Sequence, residues 1–300
     1  MSEPYLAIVN PAAGGGRCRK LLSTTLERLR AAGIEIEIEE TSAPGHATEI
    51  ARHSYSQGRR HFLAVGGDGT SYEIINGLFP ASPAAEPPVL GFLPLGTGNS
   101  FLRDFGHEDL EGALHALFTG RTQFSDVLRL RHKQGTLYYL NLLSLGFAAD
   151  VNFMRARRFH HYGQLGYLLA IFSCLVSFDR RAFPLSIDHE TPFDDRPCLF
   201  LSFNNSKFTG GTMMIAPDAR VNDALIEYVR WGPIGRLGLL RNLRTLYDGS
   251  HIHHPAASRR PARTIDFRLP APVAVMIDGE ALTLHLEHLD VLPCALRVVV

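Results

Sequence analysis

Three hundred residues, 45% of them hydrophobic and 20% charged, are enough for two substantial cores, since a domain runs to about 150 residues. Thirty Lys and Arg against thirty Asp and Glu leave a formal net charge of zero, which excludes the broad basic field of a dedicated nucleic-acid binder. The four cysteines (Cys18, Cys174, Cys198, Cys294) are widely separated and form no Cys-x-x-Cys pair, so neither a disulfide scaffold nor a thiolate zinc site is expected, and a reducing compartment fits.

The chain opens MSEPYLAIVNP, an acidic residue followed by a five-residue apolar run. It lacks the basic segment and long apolar stretch of a signal peptide, so the start reads as cytosolic. Short apolar runs at Tyr5 to Val9, Ile34 to Ile38, Phe62 to Val65 and Val89 to Leu93 predict strands. Between them, residues 17 to 32 set Leu22, Leu26 and Leu29 on one helical face with Gly33 as a stop, and residues 71 to 78 and 109 to 119 predict further helices. Strands alternating with helices pair in parallel through right-handed crossovers, so residues 1 to 125 read as an open parallel α/β domain.

From residue 126 the texture changes. Strand-like runs at Tyr138 to Leu143, Leu199 to Phe203, Leu225 to Val229, Val273 to Ile277 and Leu282 to Leu286 are separated by turn residues. They predict a mainly antiparallel, β-sandwich-like domain over residues 126 to 300, with one inserted helix near 165 to 178. The final run, Leu296 to Val300, could return to either domain. Residues 251 to 263 (HIHHPAASRRPAR) read as an exposed loop, and His251, His253 and His254 lack the spacing of a metal site on a rigid element.

Residues 159 to 178 are uncharged, but the first six (FHHYGQ) are too polar for a crossing segment of about 20 apolar residues. No integral membrane segment is expected. Leu165, Leu168, Leu169, Phe172, Leu175 and Val176 follow helical spacing, which predicts a helix packed on a core or at a lipid-facing pocket.

Three glycine-rich segments each follow an apolar strand: Asn10 to Gly16, Gly66-Gly67-Asp68-Gly69-Thr70, and Leu95-Gly96-Thr97-Gly98-Asn99. In a parallel sheet all three emerge at the carboxyl edge, where α/β proteins bind ligands. Glycine lets backbone amides approach phosphate oxygens, and a following helix N-terminus adds a favourable dipole. No P-loop and no Rossmann fingerprint is present, so a phosphate site is inferred without a familiar nucleotide fold. Asp68 amid these glycines either caps a helix or sits beside phosphates, where a carboxylate needs Mg²⁺ or a proton. Asp278-Gly279 has the chemistry of a type I′ hairpin turn, which could present Glu280.

Asn10-Pro11 with its glycines, Gly66 to Thr70, Pro94 to Asn99 and the late Asp278-Gly279-Glu280 together resemble the diacylglycerol kinase catalytic family, over nearly the whole chain. The resemblance implies an ATP- and Mg²⁺-dependent lipid kinase, cytoplasmic with transient membrane contact, with its active site in the cleft between two domains. Implied nucleotide contacts are Asn10, Thr41, Gly66, Gly67, Asp68, Gly69, Thr70, Ser71, Tyr72, Gly96, Thr97, Gly98 and Asn99. Glu280 matches the family's proton acceptor, with Asp278 and Asp68 organising Mg²⁺ or sharing the base role. The loop Ala216 to Leu225 resembles the family's structural Mg²⁺ loop, with ligands at Asp223 and the carbonyls of Arg220 and Leu225. Ala224 stands where Gly is usual, and Ser100 where many bacterial members carry Asp. Because NAD kinases share the GGDGT segment, a soluble acceptor such as NAD is the alternative, and a non-catalytic nucleotide- or lipid-binding module a third reading. Arg155, Arg157 and Arg158, with Arg259, Arg260 and Arg263, are candidates for anionic lipid headgroups.

Overall fold

The computed structural model describes residues 3 to 79, 86 to 96, 98 to 159, 162 to 176 and 180 to 300. The chain divides into two compact units, and both are discontinuous in sequence. The first comprises Met1–Val127, Val221–Asp223 and Leu292–Val300, and the second comprises Leu128–Arg220 and Ala224–Val291.

In the first unit β1 (Tyr5–Val9), β2 (Ile36–Glu40), β3 (His61–Gly66) and β4 (Val89–Pro94) alternate with α1 (Arg17–Ala31), α2 (His46–Ser56) and α3 (Asp68–Leu78), and α4 (Leu110–Thr119) follows. The strands run in the order β2, β1, β3, β4, all parallel. Parallel strands need both faces covered, which explains the near-continuous apolar runs of β1, β3 and β4, while edge strand β2 alternates Ile with exposed Glu. Ala7, Val9, Leu63, Val65 and Leu93 pack on one face with Cys18 and Leu29 of α1 and Leu114 and Leu117 of α4. Helices α2 and α3 pack on each other and on β1 and β3. Their approach is close enough that a Cβ on Gly77 would lie 2.5 Å from the Thr48 carbonyl oxygen.

The second unit takes up the chain within β5 (Thr122–His132), at Leu128, and continues with β6 (Gly135–Tyr139), β7 (Leu142–Gly146), α5 (Phe147–Met154), a π-helical turn at Arg155–Phe159, α6 (Gly163–Val176) and β8 (Leu185–Ile187). After these come β9 (Phe200–Asn204), β10 (Phe208–Thr209), β11 (Met213–Met214), β12 (Ile226–Trp231), α7 (Arg236–Asn242), α8 (Thr245–Asp248), β13 (Ala257–Ala262), β14 (Thr264–Phe267), β15 (Val273–Ile277), β16 (Glu280–Leu284) and β17 (Leu286–Val299), whose residues from Leu292 on belong to the first unit. Six strands form an antiparallel sheet in the order β13, β12, β9, β7, β15, β16. Its core joins Leu142, Phe200, Val229 and Trp231 to Val151 of α5, Ala170, Ile171, Cys174 and Leu175 of α6, and Leu239 of α7. Strand β17 pairs antiparallel with β14 through residues 288 to 290, then parallel with β4 through Arg297 and Val298.

Three expectations change. Residues 251 to 263 are not an exposed loop: Ala257–Ala262 is an edge strand on β12, where Pro261 is tolerated, and His251 is buried between the carbonyls of Thr245 and Ile215. Among the described residues the inserted helix is one of four α-helices, because α5, α7 and α8 are too short to show a clear period. Finally, Phe172 and Val176 are exposed while Ala170, Ile171 and Cys174 form the buried face of α6, since a helix apolar all round does not announce which side faces the core. The side chains of Leu165 and Leu168 lie outside the described residues.

Candidate active site

Each glycine loop leaves the carboxyl end of its strand, and main-chain contacts lock the three together. Asn10 N–H donates to the Val65 carbonyl (3.0 Å), Gly96 N–H to Gly66 (2.7 Å) and Asp68 N–H to Gly98 (2.8 Å). A Cβ on Gly67 would lie 2.9 Å from the Gly98 oxygen, one on Gly96 2.7 Å from the Gly67 nitrogen, and one on Gly14 2.9 Å from the Leu95 oxygen. The glycines at 14, 67 and 96 are therefore demanded by backbone meeting backbone. Gly14, Gly15 and Gly16 are all left-handed (φ 63°, 64° and 88°), and open space surrounds the last two. Gly16 N–H donates to the Ala12 carbonyl (3.3 Å), and the missing side chains at Gly15 and Gly16 leave room for a ligand to approach the main chain. Arg17 and Arg19, both exposed, follow at the start of α1.

Asp68 does not cap α3. Its two carboxylate oxygens accept the Ser100 N–H at 3.0 and 3.2 Å, tying the second glycine loop to the third. Burial raises the carboxyl above its ordinary range, opposed by the donors at Ser100 and Phe101. Beneath Gly66 the buried Thr70 hydroxyl has no hydrogen-bond partner. Ser71 donates to the Asp68 carbonyl, Asn99 to Gly96, and the Asn10 side chain accepts from Ala12 N–H. Thr41 follows β2 with its N–H on the Val9 carbonyl. Gly69 and Tyr72 lie in the first turns of α3. Thr97 lies outside the described residues.

One contributor carries no sequence signal. Glu73 of α3 accepts the N–H groups of Gly45 (2.9 Å) and Ala47 (3.1 Å), capping the N-terminus of α2 from another helix. It thereby ties the loop after β2, which carries Thr41, to the helix that follows the GGDGT turn.

In the second unit β15 and β16 close through a two-residue turn at Asp278 and Gly279, both with positive φ (47° and 93°), as a type I′ hairpin requires. The buried Asp278 carboxylate accepts three N–H groups, from Leu140 (2.8 Å), Asn141 (2.9 Å) and Leu142 (3.0 Å). Glu280, the next residue of the hairpin, is exposed. Asn152 of α5 donates to the Gly279 carbonyl, so the helix supports the same turn. In the acidic loop, Arg220 and Asp223 are exposed and Ala224 adopts the left-handed conformation (φ 60°) that its position demands. Among the described residues no group of three or more His, Cys, Asp or Glu is arranged to hold a metal.

Interlocked glycine loops on a parallel sheet, followed by an antiparallel unit that presents a carboxylate on a hairpin, define a two-part α/β protein with a candidate phosphate site. Comparison with known proteins narrows the class. The model of the diacylglycerol kinase catalytic domain matches residues 4–130, and that of the YegS C-terminal NAD kinase beta sandwich-like domain matches residues 141–300. Diacylglycerol kinase from Bacillus subtilis (strain 168) is 26% identical over 277 residues, covering 91% of this chain and 88% of its own. The diacylglycerol kinase of Staphylococcus aureus (strain MRSA252) is 28% identical over 299 residues, covering 95% and 90%. A solved diacylglycerol kinase from Bacillus anthracis str. Sterne superposes with a TM-score of 0.71 at 20% identity, covering 99% of this chain and 96% of that one, a likeness of fold. The chain belongs to the diacylglycerol kinase catalytic-domain family, whose members are phosphotransferases acting on an alcohol group.

Proposed function

We propose that this protein is an ATP-dependent lipid kinase that transfers the γ-phosphate to the hydroxyl of a diacylglycerol-like or sphingoid lipid, working at the cytoplasmic face of a membrane. The observation that carries the reading is the run of three left-handed glycines after β1, set against the Leu95–Gly96 loop at Gly14 and with open space around Gly15 and Gly16, where a chain of phosphates can approach the main chain. The nucleotide contacts are Asn10, Thr41, Gly66 to Tyr72 and Gly96 to Asn99. The orphaned Thr70 hydroxyl supports this assignment, because a buried hydroxyl without a partner is costly until something bonds to it.

Phosphoryl transfer asks the protein mainly for position and charge, and one proton must leave the acceptor. Glu280 is assigned that proton. As the lipid oxygen bonds to the γ-phosphorus and the bond to the ADP oxygen breaks, the proton passes to its carboxylate. Asp278 positions Glu280: its three N–H partners fix the hairpin turn. Asp68 holds two glycine loops in register through Ser100 and borders the phosphates.

The donors at Arg220, Asp223 and Leu225, one carboxylate and two carbonyls, are hard oxygens of the kind Mg²⁺ takes, and the left-handed turn at Ala224 keeps the loop in the form a glycine would give. They would hold a structural Mg²⁺. Mg²⁺ bound with ATP supplies charge neutralisation at the phosphates.

The purified protein with labelled ATP, Mg²⁺ and a lipid panel is expected to yield labelled lipid. Glu280→Gln and Asp68→Asn each lower turnover more than about tenfold with the fold intact. NAD is included as an acceptor because the C-terminal model carries the NAD kinase description. Labelled NAD in place of lipid would move the assignment to a soluble acceptor, and tight ATP binding without any transfer would make the protein a binding module.

A further inference from the structure

The second unit holds a cavity of about 490 Å³ between its two layers of strands, a volume within the usual range of small-molecule sites. Leu185 and Ile187 of β8 line one side, Pro192 and Phe193 of the segment after β8 another, and Tyr228 of β12 faces them. Along β12, Tyr228 and Arg230 alternate with Val229 and Trp231, and the latter pair belongs to the core covered by α5, α6 and α7. The cavity therefore opens on the opposite face of the six-stranded sheet. It also lies at the β13 and β12 edge of that sheet, whereas the hairpin carrying Glu280 forms the β15 and β16 edge. Neither the glycine loops nor the hairpin lines it.

Its lining is rich in donors and balanced in charge. Tyr228 is 3% exposed, and its hydroxyl proton has no acceptor. The charges of Arg196, Arg230 and Arg260 all reach that hydroxyl, and a guanidinium can only donate. Burial pushes the phenol up to about 12, against the pull of the Arg230 charge, so its proton stays in place for a ligand. Arg260 spends two N–H groups on Glu190 (2.9 and 2.8 Å) and Arg196 two on Asp194 (2.9 and 2.7 Å), which leaves each with others to offer. Glu190, Asp194 and Asp195 line the cavity as well. An anion would meet these carboxylates and a cation the arginines, so an uncharged acceptor fits best. Phe193 is braced by the Arg268 guanidinium, 4.1 Å from its ring centroid, and a fixed aromatic wall suits offset stacking of a second ring.

We propose that this cavity is a second binding site, for a small uncharged aromatic molecule that carries a carbonyl acceptor, an aromatic carboxamide being the simplest case. The ring lies against Phe193, Pro192 and Ile187, and the carbonyl oxygen accepts from the Tyr228 hydroxyl and the spare N–H groups of Arg196 or Arg260. The hydroxyl is covered until the ligand enters. Arg196 and Arg260, with side chains 68% and 39% exposed, supply the movement that admits it. The site does not depend on the lipid-kinase reading.

The test titrates the full chain, carrying isotope-labelled tyrosine, with benzamide, benzoate and benzamidine, which share a shape and differ in charge. Benzamide should bind with a Kd of about 1 mM or tighter and shift the Tyr228 signal, identified by its loss in Tyr228→Phe. Benzoate and benzamidine should bind at least about fivefold more weakly. Saturating ATP should leave the benzamide affinity unchanged. In saturation-transfer measurements Tyr228→Phe should weaken benzamide about three- to tenfold at an unchanged melting temperature. If that variant melts lower, Phe193→Ala, at a half-buried position, carries the test with a loss of about fivefold. Absence of benzamide binding, or an affinity unchanged in the folded variants, overturns the site. Tighter binding of benzoate or benzamidine overturns the uncharged class of ligand, and displacement by ATP overturns the proposal in favour of the glycine loops. Binding is read directly, so failure here leaves the kinase reading standing, and failure of phosphoryl transfer leaves this site standing.

Discussion

Ala224 adopts φ of +60° on the acidic loop, a conformation costing a side-chain-bearing residue about 1–2 kcal/mol. Glycine relieves that strain and returns part of the gain as unfolded-state entropy. Ala224→Gly is therefore expected to raise the unfolding free energy by about 0.5–1 kcal/mol, read as a higher urea midpoint at unchanged slope. A lower midpoint would show that the loop is not strained there. The sequence marks this residue as unusual, but a single φ depends on what surrounds the loop and is not written at the position itself. The same division runs through the site. The Asp278–Gly279 turn is legible because type I′ geometry selects those residues. The three N–H groups that Asp278 accepts come from the opposite part of the chain, and no local pattern announces them. Asp68 shows the converse: its neighbours leave helix capping and a place beside phosphates both open, and a loop brought in by tertiary structure engages it.

Among elements, the alternation of apolar runs and helical patterns carries the parallel sheet, because β1, β3 and β4 are buried almost throughout, whereas β2 at the edge keeps its glutamates exposed. The edges of the second unit are less legible. Strand β13 contains Ser258, two arginines and Pro261, a composition that reads as loop until β12 supplies the ladder. The segment after β8 is likewise irregular in sequence yet closely held. Asp194 exchanges main-chain bonds with Leu185, and its carboxylate accepts from Arg196 and, at 2.9 Å, from Arg230 of β12. Arg230, almost wholly buried, also donates to the carbonyls of Arg196 and Pro197. The Arg196 hydrogen bond, working against partial burial and helped by the Arg230 charge, holds the Asp194 carboxyl down at about 2. A carboxyl whose folded pKa lies below its unfolded value of about 3.9 contributes stability that is complete above that value and is lost as pH falls toward the folded pKa. Stability should therefore fall between about pH 4 and pH 2. Asp194→Asn should flatten this part of the profile and cost about 3 kcal/mol at neutral pH, because the Arg230 guanidinium stays buried without its counter-charge. Chemical denaturation across pH measures both, and an unaltered acid limb in the variant would show that other carboxylates set it.

For the molecule as a whole, the first unit is completed by the chain's far end. Arg297 and Val298 pair in parallel with Val89 and Leu90 of β4, Arg297 N–H donates to the Pro88 carbonyl, and Val300 N–H donates to Arg121. Leu296, Val298 and Val299 are buried, and the fully buried Asp126 carboxylate accepts the Cys294 N–H at 2.7 Å. The apolar run at Leu296 to Val300 is plain in the sequence, but its partner is not, since parallel pairing leaves no turn to fix the register. Residues 1 to 127 expressed alone would expose an unpaired, apolar β4 edge, a template for aggregation. That fragment is expected to be insoluble or to lack a cooperative melt and near-ultraviolet dichroism. The same fragment with residues 286 to 300 appended through a flexible linker should recover both, because a tethered strand restores the missing pairing at modest loop-closure entropy. A cooperative transition in residues 1 to 127 alone would mean that the four remaining parallel strands bury enough surface by themselves. Recovery in the tethered form alone would make folding of the glycine-loop unit wait on the last residues of the chain, a long-range requirement that predicts slow refolding of the intact protein as well.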